Sequence, residues 1–539
     1  MAKPSSIPRK FSLIFIGIYL LGIGYFFAQF LSFDHPTVGY AWLPKYGSHF
    51  HERKTDEFKN TKHLVTSERG YDGQFYSQMA LSPTLRQDGL EDALDIFNYR
   101  ARRIFFSWTA YAIGLGQPDW ITQAYSVQNA IFWLLLAVLL LHWFPPNSWQ
   151  NAIRYIGTLY APGLIISATH ALLDGPSLFF IALGAYLIEK NKHTSGCIAF
   201  ALSTLGQETS ILAAALIPLP KDTRSSSLLY YIKHGAIIAI PIGLWIFYIS
   251  TLTGNTQGNS GSNNFNYPFA SWFSSLGSNL SSLFDKGIGA WNGFYLLMLL
   301  SLMAQAVYFL IRPNPKSKWW RLGVSYALLM LVLGDAVWAG YHGAAIRAVL
   351  PITLAFNILL PRTLKALPLL ILANSLSYAG FTHLGTVTPP KPITYLQSQN
   401  PNVNTDPNTF TTPKLQLVDD WYETENFGED NWRWSSNHGT ISYTIHRAQA
   451  IPAFFQFQLR ALSSRKITLS LNGESLETFD YEYPNITGSL ATSLLLQPGE
   501  NRIEFITESP PDSVPGDTRK LGFALYNIML RLEEPSSKP

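Results

Sequence analysis

The stretch ERGYDGQFYSQMALSP, residues 68–83, sets one carboxylate, Asp72, ahead of Phe75, Tyr76 and Met79, which fall three, four and seven residues further on. That spacing gathers the apolar side chains on one face of a short helix that ends before Pro83. An aspartate at such a start caps the helix, accepting a backbone N–H two or three residues on for about 1 kcal/mol. The same carboxylate suits a chemical task. A base positioned to take the proton of an acceptor hydroxyl is worth roughly 10²- to 10⁴-fold in rate. Tyr71, Gln74 and Tyr76 flank it as candidate substrate contacts.

Arginines complement the carboxylate. NYRARRIFFSW, residues 98–108, holds Arg100, Arg102 and Arg103, and GYHGAAIRAVLPITLAF, residues 340–356, puts Arg347 one turn inside an apolar run. A guanidinium stays charged at any working pH and meets phosphate oxygens with a planar fork. Arg102, Arg103 and Arg347 are therefore candidates to bind a phosphate-like anion, and Arg100 a candidate substrate contact. An arginine at membrane depth is expensive, which favours function for Arg347; snorkelling to the headgroups is the alternative. His342 in the same stretch and the pair Gln207-Glu208 complete the polar set. His170 and Asp174, in THALLDGPS, read as a loop with a helix cap. No His, Asp or Glu set falls at metal-ligand spacing, and the single cysteine, Cys197, makes neither a disulfide within the chain nor a cysteine cluster, so no metal or redox cofactor is expected.

These residues need elements to hold them, and composition says which. Of 539 residues, 47% are hydrophobic and only 14% charged, against about 25% charged in an ordinary soluble domain. The pattern is that of a membrane protein. A net charge of +4 without a basic stripe speaks against a nucleic-acid partner. The first apolar run, 11–33, has the length of a bilayer span, roughly 20 residues, and too much for a signal peptide, so it reads as a retained anchor. Further spans are expected at 124–144, 152–169, 171–189, 228–252, 289–311, 320–339, 344–361 and 366–384. Two half-length runs hinged at Gly206-Gln207-Glu208 form a broken up-and-down pair. With about eleven passes the basic loops all fall on the cytoplasmic side, with the N-terminus. The remaining ionisable residues then gather near the outer face, where they default to a functional site.

GYDGQFYSQMA followed by NYRARRIFFSW resembles the signature of a bacterial family of polytopic proteins of cell-surface glycopolymer formation, similar to GT-C class glycosyltransferases. The resemblance covers most of the membrane region and is tightest over Gly70–Tyr76. It implies an acidic base in the first outer loop and a polyprenyl-phosphate-linked sugar as donor substrate, with no further cofactor. Asp72 matches that position in kind, and Asp34, just past the first span, competes with it. The paired-acid form found in some members is absent here, which leaves both the choice of base and any metal requirement open.

The chain divides, on this reading, into a GT-C-like helical domain over 1–385, with outer loops at 34–103 and 253–287, a Pro/Asn/Thr-rich linker over 386–414, and a β-sandwich or jelly roll over 415–539. The second outer loop reads as a lid or as a plain connection. Trp432 and Trp434 share one strand face, to stack on sugars or to fill a core. The expected protein is a multi-pass glycosyltransferase of a bacterial inner membrane, its sandwich extracytoplasmic. Its partners are membrane lipids, a polyprenyl-phosphate-linked sugar and a glycan, lipid or protein acceptor. A lipid-linked glycan flippase, expected to carry internal repeats, and a non-catalytic assembly scaffold are the rival readings.

Overall fold

Apolar runs of bilayer length become helices here because a backbone in hydrocarbon must satisfy its own hydrogen bonds. The computed structural model describes residues 9–35, 38–47, 53–59, 61–67, 70–218, 225–253, 264–286, 290–338, 344–389, 416–427, 430–446, 448–481, 488–514 and 517–532. Backbone packing divides the chain into two units, Met1–Phe33 with Phe75–Val387, and Asp34–Gln74 with Thr388–Pro539.

The first unit is helical. Among the described residues, five of its helices are long and apolar enough to cross a membrane: Leu13–Leu31, Pro118–Leu140, Leu228–Thr253, Gly293–Ile311 and Leu364–Thr386. Leu20, Leu21, Leu244 and Phe247 on these helices are exposed, as suits a face against lipid. The chain is a membrane protein whose other apolar runs are shorter or broken, the run expected over 171–189 being the single 16-residue helix Asp174–Glu189. The run expected as one span over 152–169 is two helices, Trp149–Leu159 and Pro162–Thr169, because Pro162 has no N–H to continue the ladder. Ala344–Ala348 and Leu350–Leu359 likewise meet at Val349, ahead of Pro351. At the hinge, His193–Gly206 passes to the 3₁₀ helix Glu208–Leu216 through an extended Gln207, with φ −157° and ψ 119°.

Polar pairs lock this interior. Asn357 and Asn374 exchange amide hydrogen bonds of 2.8 Å in both directions. Glu189 accepts the indole N–H groups of Trp143 and Trp319 at 3.0 Å each and lies 3.2 Å from the Lys318 ammonium. Such bonds fasten helices that gain little by hiding apolar surface from lipid.

The second unit is built on two five-stranded antiparallel sheets. One runs Gly488–Leu496, Ile451–Arg460, Phe523–Leu532, Asp430–Ser435, Glu425–Phe427, and the other Gln416–Val418, His438–Ile445, Gly499–Ile506, Arg465–Leu471, Glu474–Tyr481. Alternate residues, among them Phe455, Phe457, Ile467, Leu469, Ile503, Phe505 and Phe523, fill the main core. Outward positions of the first sheet make a second cluster of Trp434, Leu521, Ala524 and Tyr526, with Trp432 stacked on Tyr526 at 5.2 Å. Trp434 is 4% exposed, so it is a packing residue. Asn472-Gly473 turns between strands with both φ angles positive, as the Asn-Gly pair favours.

Asp34–Gln74 belongs to this unit. It has a small core of its own in Trp42, Tyr46 and Phe58, with the Lys54 ammonium 5.0 Å above the Tyr46 ring. Tyr46–Gly47 pairs in parallel with Val65–Ser67, which packs beside Gly488–Leu496. Aromatic residues dense enough to bury one another let this segment fold with the strands.

Candidate functional site

The helix Phe97–Ala101 and the turn after it place Arg100, Arg102 and Arg103. Arg100 is buried and binds Asp95 bidentately, at 2.8 and 2.7 Å. Its remaining amino group donates to the Tyr76 hydroxyl at 3.2 Å, and its plane lies 4.7 Å from the Phe75 ring. Arg103 donates to the same hydroxyl at 3.0 Å and to Glu208 at 2.7 Å, and lies 4.2 Å from the Tyr99 ring. A phenol oxygen has two lone pairs, and here each takes a guanidinium. Burial pulls the Arg103 pKa down, but Glu208 and the phenols of Tyr76 and Tyr99 outweigh it and hold the group well above the usual arginine value. Arg103 is permanently a cation.

Arg102 stands between these two, half-buried, and its side chain makes no hydrogen bond or ion pair among the described residues. Arg100 pairs with Asp95 and Arg103 with Glu208, and Arg102, next to Arg103 in the chain, adds one positive charge. That arrangement is suited to an anion with several oxygens, such as a phosphate.

A second cluster continues from the hinge. The Gln207 amide donates to Asp174 at 3.1 Å, and Arg347 donates to the other oxygen of that carboxylate at 3.2 Å. Both side chains of the ion pair are about one-tenth exposed. Gly163 makes the approach possible, since a Cβ there would lie 2.8 Å from the Ile346 carbonyl and 3.0 Å from the Arg347 backbone. Because Gln207 and Glu208 are neighbours, the two clusters form one polar chain from Asp95 to Arg347 through the helical unit.

The Gly70–Gln74 part of the motif lies in the second unit. Gly70 has φ +68°, and a Cβ would meet the Lys45 carbonyl at 2.6 Å and the Gly47 nitrogen at 2.5 Å. The Tyr71 N–H donates to the Lys45 carbonyl at 2.7 Å, and the buried Gln74 accepts the Gly47 N–H at 2.9 Å. Gln74 thus staples the motif to Tyr46–Gly47. Asp72 is half-buried and stands directly before the helix Gly73–Leu81. Asp34 is exposed; after burial, its charge is the second cause that raises the Tyr40 pKa.

Of the residues singled out from sequence, the structure joins Tyr76, Arg100, Arg103, Gln207, Glu208 and Arg347 in one network, with Arg102 beside it. It holds Tyr71, Asp72 and Gln74 together in the second unit, and His342 lies outside the described residues. Asp95, Tyr99 and Asp174 were not among the candidate site residues. Asp95 lies five positions before Arg100, a spacing no helix rule flags, and Asp174 meets a partner 173 positions away. Lys45 was missed as well. Its ammonium sits 3.9 Å over the Trp42 ring, and burial pushes its pKa down to about 7. Among the described residues no three His, Cys, Asp or Glu side chains converge to hold a metal ion.

No protein-family model matches the chain, and no curated protein sequence matches it. Among solved structures, the GH26-CBM35 β-(1,4)-mannanase of Podospora anserina is similar over 24% of this chain and 27% of its own, at 13% identity and a TM-score of 0.16. A family 35 carbohydrate-binding module from an environmental isolate is similar over 24% of this chain and 100% of its own, at 15% identity and a TM-score of 0.16. The arabinosyltransferase EmbB of Mycobacterium smegmatis is similar over 97% of this chain and 66% of its own, at 9% identity and a TM-score of 0.26. The chain therefore spans about a quarter of the mannanase and just under two thirds of the arabinosyltransferase. At these identities and TM-scores the likenesses establish neither activity nor ligand for this chain.

Proposed function

We propose that the protein is a polytopic GT-C-type glycosyltransferase that moves a sugar from a polyprenyl-phosphate donor to a hydroxyl of a glycan, lipid or protein outside the cytoplasmic membrane. The observation that carries this reading is the arginine set: Arg100 and Arg103 held on one hydroxyl, that of Tyr76 in the GYDGQFYSQMA motif, with Arg102 unpaired among the described residues between them. In the reaction the bond from the anomeric carbon to the phosphate oxygen breaks and the phosphate keeps the electron pair. A bond forms from that carbon to the acceptor oxygen, whose proton passes to a carboxylate. Arg102 and Arg103 take up the growing phosphate charge through forked hydrogen bonds that need no rearrangement as it develops. Arg347 is a positioning residue, since it holds Asp174 and, through Gln207, the hinge that presents Glu208 to Arg103.

Asp72 is the proposed base, and Asp34 takes that role if Asp72 proves dispensable. Asn is isosteric with Asp and caps helices as well, so Asp72→Asn keeps the fold while removing the proton acceptor. The test compares lipid-linked sugars and surface glycans of a deletion strain complemented with wild type or with Asp72→Asn. The variant should express normally and lose roughly 10²- to 10⁴-fold in transfer, with unspent lipid-linked sugar accumulating. Identical glycans in the deletion strain and the wild type would overturn the transferase reading; wild-type transfer by Asp72→Asn would move the base to Asp34.

A further inference from the structure

The helical unit holds a second polar site that the reaction above does not use. A cavity of about 270 Å³ opens between the helix Ala270–Lys286 and the short helix Asp335–Trp338. We infer that it is a subsite for one uncharged, hydroxyl-rich sugar ring.

The lining argues for that ligand class. Ser274, Ser275, Ser278 and Asn279 lie on one face of the first helix, and Asp335 and Trp338 face them, with Tyr295 at the side. Hydroxyl and amide groups both donate and accept, the carboxylate accepts and the indole donates, which is the complement of a sugar's hydroxyl groups. Phosphate is disfavoured, because the one charged side chain in the lining is the Asp335 carboxylate. A lipid tail is disfavoured by the serine, asparagine and aspartate groups set in the lining and by a volume just below the roughly 300 Å³ at which ordinary ligand pockets begin. One ring fits that scale.

One group in the lining is buried and unsatisfied. Trp338 is 1% exposed, yet its indole N–H has no acceptor among the described residues. A buried donor left in that state costs about 1–3 kcal/mol and calls for an explanation. Asp335 is exposed and makes no hydrogen bond or ion pair among the described residues. A ring hydroxyl that accepts from the indole satisfies the buried N–H, while another can donate to the Asp335 carboxylate.

Backbone pairing ties the cavity to the arginine set. The chain from 264 to 269 runs along 331–334, with Gly334 N to Asn264 O at 2.7 Å, Asn266 N to Val332 O at 2.9 Å and Phe269 N to Leu331 O at 2.8 Å. The Asn264 amide then donates to the Tyr99 hydroxyl at 3.4 Å, and the Tyr99 ring lies 4.2 Å from the Arg103 guanidinium. Asp335 follows Gly334 directly. The cavity is thereby linked through this pairing to Tyr99 beside Arg103, and a bound ring belongs to the donor or to the acceptor glycan; this assignment to transfer rests on the transferase reading, whereas binding of the ring does not.

The test uses the full chain in nanodiscs, with methyl glycosides of glucose, galactose, mannose and arabinose as probes and saturation-transfer NMR as readout. At least one glycoside should show saturation with wild type. Trp338→Phe, which removes the N–H and keeps a ring, and Ser278→Leu, which fills the cavity, should each lower that signal at least tenfold. Lys466→Gln, at an exposed position of the sandwich, should keep it. Displacement of the glycoside by an added polyprenyl-phosphate sugar assigns the ring to the donor, and failure to displace it assigns the ring to the acceptor. Loss of signal in both cavity variants with unchanged surface glycans in a deletion strain keeps the subsite and removes the transferase reading. No saturation by any glycoside with wild type, or full saturation with both cavity variants, overturns the subsite.

Discussion

Arg347 and Asp174 meet at 3.2 Å with both side chains about one-tenth exposed, and removing one partner strands the other. In Arg347→Ala the Asp174 carboxylate keeps the Gln207 hydrogen bond of 3.1 Å and loses its countercharge. Breaking a buried pair in this way costs about 3–5 kcal/mol, and replacing both members by neutral groups of similar size costs little. The retained hydrogen bond offsets about 1 kcal/mol, so the single variant should lose about 2–4 kcal/mol. At about 2 °C per kcal/mol for a large unit, its apparent melting temperature should fall by about 4–8 °C. Arg347→Met with Asp174→Asn should recover most of that loss. Cys197 is the single cysteine and is buried, so a thiol-reactive fluorescent dye reports melting without further labelling. Transfer activity of the double variant decides the role. Wild-type stability with turnover reduced at least tenfold marks Arg347 as acting on the site, and wild-type turnover marks the pair as structural. The reasoning is refuted if both single variants melt at the wild-type temperature, or if their effects simply add with no coupling in the double variant.

Three further outcomes follow from the same geometry. Gly70→Ala should destabilise the second unit by about 2–5 kcal/mol, from the left-handed φ of +68° and the overlap with Lys45 and Gly47; wild-type resistance to proteolysis would contradict it. Lys45 has a folded pKa of about 7, burial being the cause, against about 10.4 when unfolded. Between those values the unfolded chain binds more protons, so stability should rise with pH from about 7 to 10, and Lys45→Met should flatten that rise in a melting series. Arg103→Lys keeps a charge but reaches only some of the oxygens that the fork of Arg103 meets at Glu208 and Tyr76; transfer assays should show kcat reduced at least tenfold with expression unchanged.

Composition and local pattern carried the fold class. Leu13–Leu31 and Pro118–Leu140 are apolar over a bilayer's thickness whatever surrounds them, and the alternation around Phe455 and Phe457 makes strands with one buried face. The hinge at Gly206-Gln207-Glu208 was legible because two half-length runs cannot each cross. The Gly70–Tyr76 motif was legible because its glycine, aromatic and acidic positions sit within seven consecutive residues. Only the tertiary structure decided what those residues touch. Asp95 and Glu208 come to Arg100 and Arg103 from 5 and 105 positions away, and Asp174 comes to Arg347 from 173. Asp34–Gln74 joins the strands because its aromatic residues are buried there. Hydrophobic period and helix length are set by residues a few positions apart, whereas an ion pair in a membrane interior is set by which distant elements pack together, and no local spacing encodes that.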